Sequence, residues 1–145
     1  MLEESDHLAS CSNDQNICIW DTITWRLLRT LTGHRGEIYS LAALLDGHLA
    51  SGSEDNSIRI WDSKTGETRH TLSGHTRGVR DLLALPSGEL ASCSDDTTVR
   101  IWSVETKETT EILLGHSEPV LGLALLPGGE LASSSEDNSV RVWRL

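Results

Sequence analysis

The sequence contains no phenylalanine and only one tyrosine, so aliphatic side chains must supply most of its hydrophobic core. It also lacks any apolar run near the roughly 20 residues that a membrane-spanning helix needs. Residues 1–4 do not follow the basic-then-apolar order of a secretion signal. We therefore expect an intracellular protein, cytoplasmic or nuclear, with no membrane partner.

Positive charge is scarce as well. The chain has 12 Lys and Arg residues against 22 Asp and Glu residues, which gives a formal net charge of −10. Proteins that bind nucleic acids need basic surface to neutralise phosphates. The composition therefore argues against a nucleic-acid partner, and any partner steered by charge is expected to be basic.

What the chain does contain is a repeat. Four of the five tryptophans recur at intervals of 41 residues, at Trp20, Trp61, Trp102 and Trp143. A Gly-His pair keeps the same interval, at Gly33-His34, Gly74-His75 and Gly115-His116. Self-similarity at a fixed period indicates a repeat architecture, in which each unit buries its apolar face against its neighbours.

Within each period the apolar pattern predicts short strands separated by turns. In the second unit we predict strands at 38–45, 49–53, 58–61 and 68–72, with period-two alternation clearest at 58–61. In the incomplete first unit we predict strands at 8–12, 17–20 and 25–31. Four short strands per period are typical of one blade of a β-propeller.

A period near 41 that carries Gly-His and Trp resembles the WD-repeat family of β-propellers. The resemblance implies an all-β fold with four-stranded blades, whose strands are lettered a to d from the inside outwards. The chain would hold 14 strands, or about 3.5 blades, as an incomplete or half propeller in one segment, 1–145. We assign a partial blade b-c-d to 1–32, blades to 33–73 and 74–114, and a partial blade a-b-c to 115–145.

Trp is followed by Asp, the dipeptide that names the family, only at Trp20-Asp21 and Trp61-Asp62. Trp102-Ser103 and Trp143-Arg144 depart from it.

An incomplete ring would expose apolar blade faces and unpaired strand edges, which favour association. Three interpretations stay open: a piece of a longer protein, a chain that assembles with copies of itself, and a stable open arc.

Four polar residue types also recur at constant spacing. The three complete sets are His34, Ser51, Asp55 and Trp61; His75, Ser92, Asp96 and Trp102; and His116, Ser133, Asp137 and Trp143. The first unit keeps only Ser10, Asp14 and Trp20. The resemblance implies a structural network in which Asp accepts from His and Ser links His to the indole N–H.

A Ser-His-Asp combination also suggests a hydrolase. Repetition argues against that interpretation, because a catalytic triad is needed once, and the chain has no Gly-x-Ser-x-Gly elbow. Cys11 and Cys93 share a repeat position with Gly52 and Ser134, which favours a small buried side chain over a disulfide. Cys18 has no equivalent cysteine. We therefore expect no catalytic residue, metal site or cofactor.

Partner contacts should lie where the copies differ. The resemblance implies that partners bind the face carrying the d–a and b–c loops, at three positions per repeat. The position before the network Asp holds Asn13, Glu54, Asp95 and Glu136. The positions three and five residues after the Gly-His histidine hold Glu37 and Tyr39, Gly78 and Arg80, and Pro119 and Leu121.

This face is mainly acidic, with Tyr39, Arg80 and Leu121 available as anchors. Clustered carboxylates favour Lys or Arg on a partner through charge-assisted hydrogen bonds. The alternative is that they are ordinary solvated turn residues. We expect a non-catalytic scaffold that binds a protein or peptide, with a basic segment as the hypothesis. The alternative function is a structural module that closes its ring by self-association.

Overall fold

The computed structural model describes residues 7–145, so the acidic start at residues 1–4 lies outside the described part. Within it the chain forms strands and turns only, and no helix is long and apolar enough to cross a membrane. The all-β prediction with 14 strands is therefore confirmed. The strands are β1 (His7–Cys11), β2 (Asn16–Asp21), β3 (Leu27–Thr32), β4 (Ile38–Ala43), β5 (Leu49–Ser53), β6 (Ile58–Trp61), β7 (Thr68–Leu72), β8 (Val79–Ala84), β9 (Leu90–Ser94), β10 (Val99–Ser103), β11 (Glu108–Leu113), β12 (Val120–Leu125), β13 (Leu131–Ser135) and β14 (Val140–Trp143).

The strands form four antiparallel sheets, each from consecutive strands. We number these blades 1 to 4: β1–β3, β4–β7, β8–β11 and β12–β14. The middle two have four strands and the outer two have three. The innermost strands β4, β8 and β12 contact one another in succession, as expected of an open propeller arc.

The two faces of each blade pack differently. Strand c places two aliphatic residues on one face, which we call the aliphatic face, and the repeat tryptophan on the other, the tryptophan face. Ile58 and Ile60 of blade 2 pack with Trp102 of blade 3 in one buried cluster. Because the same arrangement joins blades 1 and 2 and blades 3 and 4, the hydrophobic core lies between blades.

A carboxylate links the inner strands of three blades. Asp81, on β8, accepts the hydroxyl of Ser40 from blade 2 at 2.9 Å and the backbone N–H of Leu123 from blade 4 at 2.9 Å. Ser40 in turn accepts the N–H of Leu82 at 3.1 Å. Ser40, Asp81 and the N–H groups of Leu82 and Leu123 thus hold the inner strands of neighbouring blades together through polar contacts as well as apolar packing.

One predicted strand start was wrong. Trp25 was placed at the beginning of strand d, but β3 begins at Leu27 and Trp25 lies in the turn before it. Asp21 makes this turn: its side chain accepts the N–H groups of Ile23 and Thr24, and its carbonyl accepts that of Trp25. Trp25 consequently has φ 55°, a left-handed conformation that costs a bulky residue free energy.

The three cysteines differ in how deeply they are buried. Cys93 is fully buried in β9, between blades 3 and 4, and burial raises the pKa of its thiol well above the ordinary value. Cys11 and Cys18 are partly buried in blade 1. All three are free thiols.

Candidate functional site

A relay of hydrogen bonds ties the Gly-His loop of blade 2 to the two middle strands of that blade, β5 and β6. His34 Nδ1 lies 2.8 Å from Asp55 Oδ2, and His34 Nε2 lies 2.7 Å from Ser51 Oγ. Trp61 donates its indole N–H to the same Ser51 oxygen at 2.8 Å. Since Asp55 can only accept, His34 donates from Nδ1 and accepts the Ser51 hydroxyl proton at Nε2, which satisfies all four side chains.

The charges in this relay are fixed by their surroundings. Burial lowers the pKa of His34 below its ordinary 6.5, against the opposing effect of Asp55, so the imidazole is neutral. Burial raises the pKa of Asp55, but hydrogen bonds from Ser57, Arg35 and His34 outweigh it and hold the pKa at about 2. The network therefore contains one partly buried negative charge, and all four of its side chains are satisfied.

The same geometry recurs in blades 3 and 4. His75 lies 2.7 Å from both Asp96 and Ser92, and Trp102 donates to Ser92 at 2.8 Å. The blade 4 copy joins His116 to Asp137 at 2.7 Å and to Ser133 at 2.8 Å, with Trp143 donating at 2.9 Å. In blade 1, Trp20 donates to Ser10 at 2.9 Å, while Asp14 accepts a local backbone N–H.

These Ser-His-Asp sets are poorly placed for nucleophilic chemistry. Ser51 and Ser92 have no exposed surface, and each hydroxyl oxygen already accepts an indole N–H. A nucleophile has to reach a substrate atom within a site that admits it. The geometry instead pins a loop to two strands.

Sequence reasoning missed a second set of hydroxyl groups in the network. Ser57, Thr98 and Ser139 donate to Oδ1 of the network aspartates at 2.6, 2.7 and 2.5 Å. They stand two residues after each aspartate and recur every 41 residues. This recurrence of a hydroxyl side chain could have identified them from the sequence. Each supplies a bond to the ionised carboxylate, so they belong to the same network.

The predicted contact positions of the loop face lie side by side in each blade. Backbone bonds join the residue three after the histidine to the residue before the network aspartate. They run from Glu54 N–H to Glu37 O at 2.8 Å, from Asp95 N–H to Gly78 O at 3.0 Å, and from Glu136 N–H to Pro119 O at 2.9 Å. The d–a and b–c loops therefore present one continuous, preordered surface.

Arg80 is held within this surface by two neighbours. Its guanidinium donates to both carboxylate oxygens of Asp95, at 2.7 and 2.8 Å, and lies 4.6 Å from the centre of the Tyr39 ring. The Arg80 side chain is 37% exposed and that of Asp95 is 20% exposed. Arg80 and Asp95 are therefore already engaged with each other, and Tyr39 bridges blades 2 and 3.

The other predicted positions are arranged around this group. Burial and then the charges of Glu54 and Glu37 raise the pKa of Tyr39, and Asp95 and then Glu136 raise the pKa of Arg80. Glu54 and Tyr39 border the same site, since a Cβ on Gly78 would lie 3.4 Å from Glu54 Cα and 3.6 Å from Tyr39 Cε2. Glu54 and Glu136 are exposed and Glu37 is half-buried. Asn13 is exposed in blade 1 and Leu121 is exposed on β12. Within the described residues, neither forms a hydrogen bond or an ion pair with Tyr39 or Arg80.

Comparison with known families gives four matches along the chain. The family described as WD domain, G-beta repeat matches residues 3–21, 25–62, 66–103 and 107–144. No match was found among curated protein sequences.

A solved structure shares the fold. The chain is similar to the crystal structure of the WD40 beta propeller domain of Doa1, with 30% sequence identity and a TM-score of 0.88. The match covers 97% of this chain and 47% of that chain, so the sequence spans about half the length of its structural relative.

Proposed function

Because this chain belongs to the WD-repeat family, whose repeats match most of its length, we propose that it is a non-catalytic platform binding a partner protein through its loop face. Propellers of this family serve generally as protein-interaction scaffolds. We propose further that the contacting segment of the partner is basic, that the protein works inside the cell, and that it does not bind nucleic acid.

The observation that supports a basic partner is the charge gathered around Tyr39. Three carboxylates, Glu37, Glu54 and Glu136, act electrostatically on the Tyr39–Arg80 pair, and none of them forms an ion pair within the described part of the chain. Arg80 neutralises only Asp95. Carboxylates carried on an ordered loop backbone attract Lys and Arg of a partner, and the loops lose little conformational entropy when the partner binds.

Charge reversal on this face tests the proposal. The triple variant Glu37→Lys, Glu54→Lys, Glu136→Lys leaves the Arg80–Asp95 pair intact. The probe is a fluorescein-labelled eight-residue peptide of alternating Arg and Gly, titrated by anisotropy at two salt concentrations. We expect salt-dependent binding to the natural chain and at least a tenfold weaker affinity for the variant.

The matched control makes the same change in net charge at a different place on the surface. Glu105→Lys, Glu108→Lys, Glu111→Lys alters three exposed carboxylates of the c–d turn and outer strand of blade 3. We expect less than a threefold change in affinity. Equal losses in both triple variants would mean that only overall charge matters, and the loop-face assignment would be wrong.

A second candidate function is self-association. Val140 and Val142, on the aliphatic face of blade 4, are 68% and 58% exposed, whereas the equivalent Ile58 and Ile60 of blade 2 are 0% and 1% exposed. A contiguous apolar surface of this kind marks an interaction site. We propose that copies of this chain cover it, and light scattering on a size-exclusion column tests whether the mass exceeds 15.9 kDa.

A further inference from the structure

Each of the three interfaces between adjacent blades shows which surface covers an aliphatic face. At each of them the tryptophan face of one blade packs on the aliphatic face of the blade before it. Between blades 1 and 2, for example, Trp61 and Leu49 pack on Ile17 and Ile19. The two faces are therefore complementary surfaces that the repeat reproduces.

The same two faces are open at the two ends of the arc. The tryptophan face of blade 1 exposes Leu8, whose equivalents Leu90 and Leu131 are fully buried. The aliphatic face of blade 4 exposes Val140 and Val142. One molecule thus presents, at opposite ends, the two kinds of face that pack together inside it, with the described part of blade 1 lacking an equivalent of the innermost strand that supplies Ile38 to the interface between blades 1 and 2.

The turn beside the open tryptophan face carries a second signal. In blade 2 the equivalent turn packs on the outer strand of blade 1, where Arg29 donates to Ser63 O at 3.0 Å and also to Lys64 O. A Cβ on Gly66 would lie 2.6 Å from Arg29 Cδ and 3.1 Å from Leu31 Cδ2. This turn position therefore faces the preceding blade.

Trp25 occupies that position in blade 1, with a 68% exposed side chain and an unfavourable left-handed backbone. Ile23 in the same turn is also exposed, whereas blade 2 has Lys64 and Gly66 at these positions. The turn forms without apolar residues, because the same backbone bond recurs in blade 2. A strained, exposed tryptophan that the turn does not need points to a contact outside the molecule.

We propose that a second copy of this chain packs head to tail on the first, with the tryptophan face of blade 1 on the aliphatic face of blade 4. Leu8 and Trp25 of one copy contact the surface formed by Val140 and Val142 of the other. The interface is heterologous, since two different surfaces meet. The inference rests on the self-association candidate above and is independent of the loop-face function.

A complementation experiment tests the orientation. Leu8→Asp blocks one surface and Val142→Asp blocks the other, and both side chains are exposed, so the fold is expected to survive. Sedimentation velocity should show the natural chain associated and each variant monomeric. An equimolar mixture of the two variants retains one intact pair of surfaces and should form a 1:1 dimer. Trp25→Gly should weaken association at least tenfold.

The control is Ile112→Asp, which changes an exposed aliphatic residue on the outer strand of blade 3, away from both open faces, and should associate like the natural chain. A monomeric natural chain would refute both the self-association candidate and its geometry. Association that persists in Val142→Asp alone, or a mixture that stays monomeric, would refute only the head-to-tail geometry. Circular dichroism verifies that each variant is folded.

Discussion

Blades 3 and 4 carry the same relay of His, Ser, Asp and Trp, yet the aliphatic face is covered by a neighbouring blade only in blade 3. The relay of His, Ser, Asp and Trp has the same distances in both, within 0.1 Å for each bond. Trp102 is fully buried, whereas Trp143 is half-buried. Val99 and Ile101 are covered by the next blade, but their equivalents Val140 and Val142 are exposed.

The comparison separates two sources of stability. Hydrogen bonds within a blade are local and form at either position along the arc. Burial of apolar surface depends on the neighbouring blade, as expected for a repeat protein whose stability sums unit and interface contributions. The middle blades should therefore carry most of the cost of any substitution, and the outer blades should tolerate the same substitution better.

The largest expected difference is at the repeat tryptophan. Trp102→Ala should lower the free energy of unfolding by about 3–5 kcal/mol, because it leaves a large cavity between blades 2 and 3. Trp143→Ala should cost about 2 kcal/mol or less, since its side chain is partly exposed already. Urea denaturation measures both, and equal costs would contradict the dependence on neighbours.

A smaller difference is expected at the network serine. Ser92→Ala removes the bond partner of both His75 and Trp102 in a fully buried site and should cost about 2–3 kcal/mol. The matched variant Ser10→Ala removes one bond at an exposed position and should cost less than about 1 kcal/mol. If Ser10→Ala destabilised the chain as much, burial would not decide the value of the bond.

The network also predicts acid sensitivity in blade 2, where His34 and Asp55 both have shifted pKa values. The folded pKa of His34 lies below its ordinary 6.5, so the unfolded chain binds the proton first and stability falls as the pH drops below 6.5. Asp55 contributes stability above its ordinary 3.8, which is lost as the pH falls towards about 2.

Urea midpoints measured from pH 8 to pH 2 test both ranges. His34→Gln should flatten the upper part of the profile and Asp55→Asn the lower part. A natural chain whose stability is constant between pH 7 and pH 4 would contradict the assignment of a neutral, buried His34.

The smallest expected change in the free energy of unfolding is at one turn position, which is compared in blades 1 and 2. Trp25→Gly should raise the free energy of unfolding by up to about 1 kcal/mol, because it removes a left-handed bulky residue. Gly66→Ala, at φ 80° and against Arg29, should lower it by about 1 kcal/mol or more. Thermal unfolding at low protein concentration measures both, and a destabilised Trp25→Gly would show that Trp25 supports the fold.

The 41-residue interval was sufficient to predict the fold class and the strand count, because each blade repeats the same alternation and turns. The relay residues could be singled out because they recur, and the structure brings each complete set together by direct hydrogen bonds. Their contribution to stability remains a prediction that the experiments above test.

Features that occur once escaped sequence reasoning. Asp81 links three blades only because β4, β8 and β12 approach each other, and nothing local to Asp81 reveals its partners. Arg80 was predicted as an available anchor, but its pairing with Asp95 depends on the geometry between two loops. Trp25 was placed at the start of strand d, but hydrogen bonds to Asp21 hold it in a turn and the strand begins at Leu27.

The buried position of Cys93 allows local opening of the chain to be measured through its natural thiol. The thiol lies in the cluster between blades 3 and 4 and has no exposed surface, and burial keeps it protonated. A thiol reagent can therefore modify it only during the moments when those two blades part. The labelling rate at this one sulfur would report how often the arc comes open there, without any introduced probe.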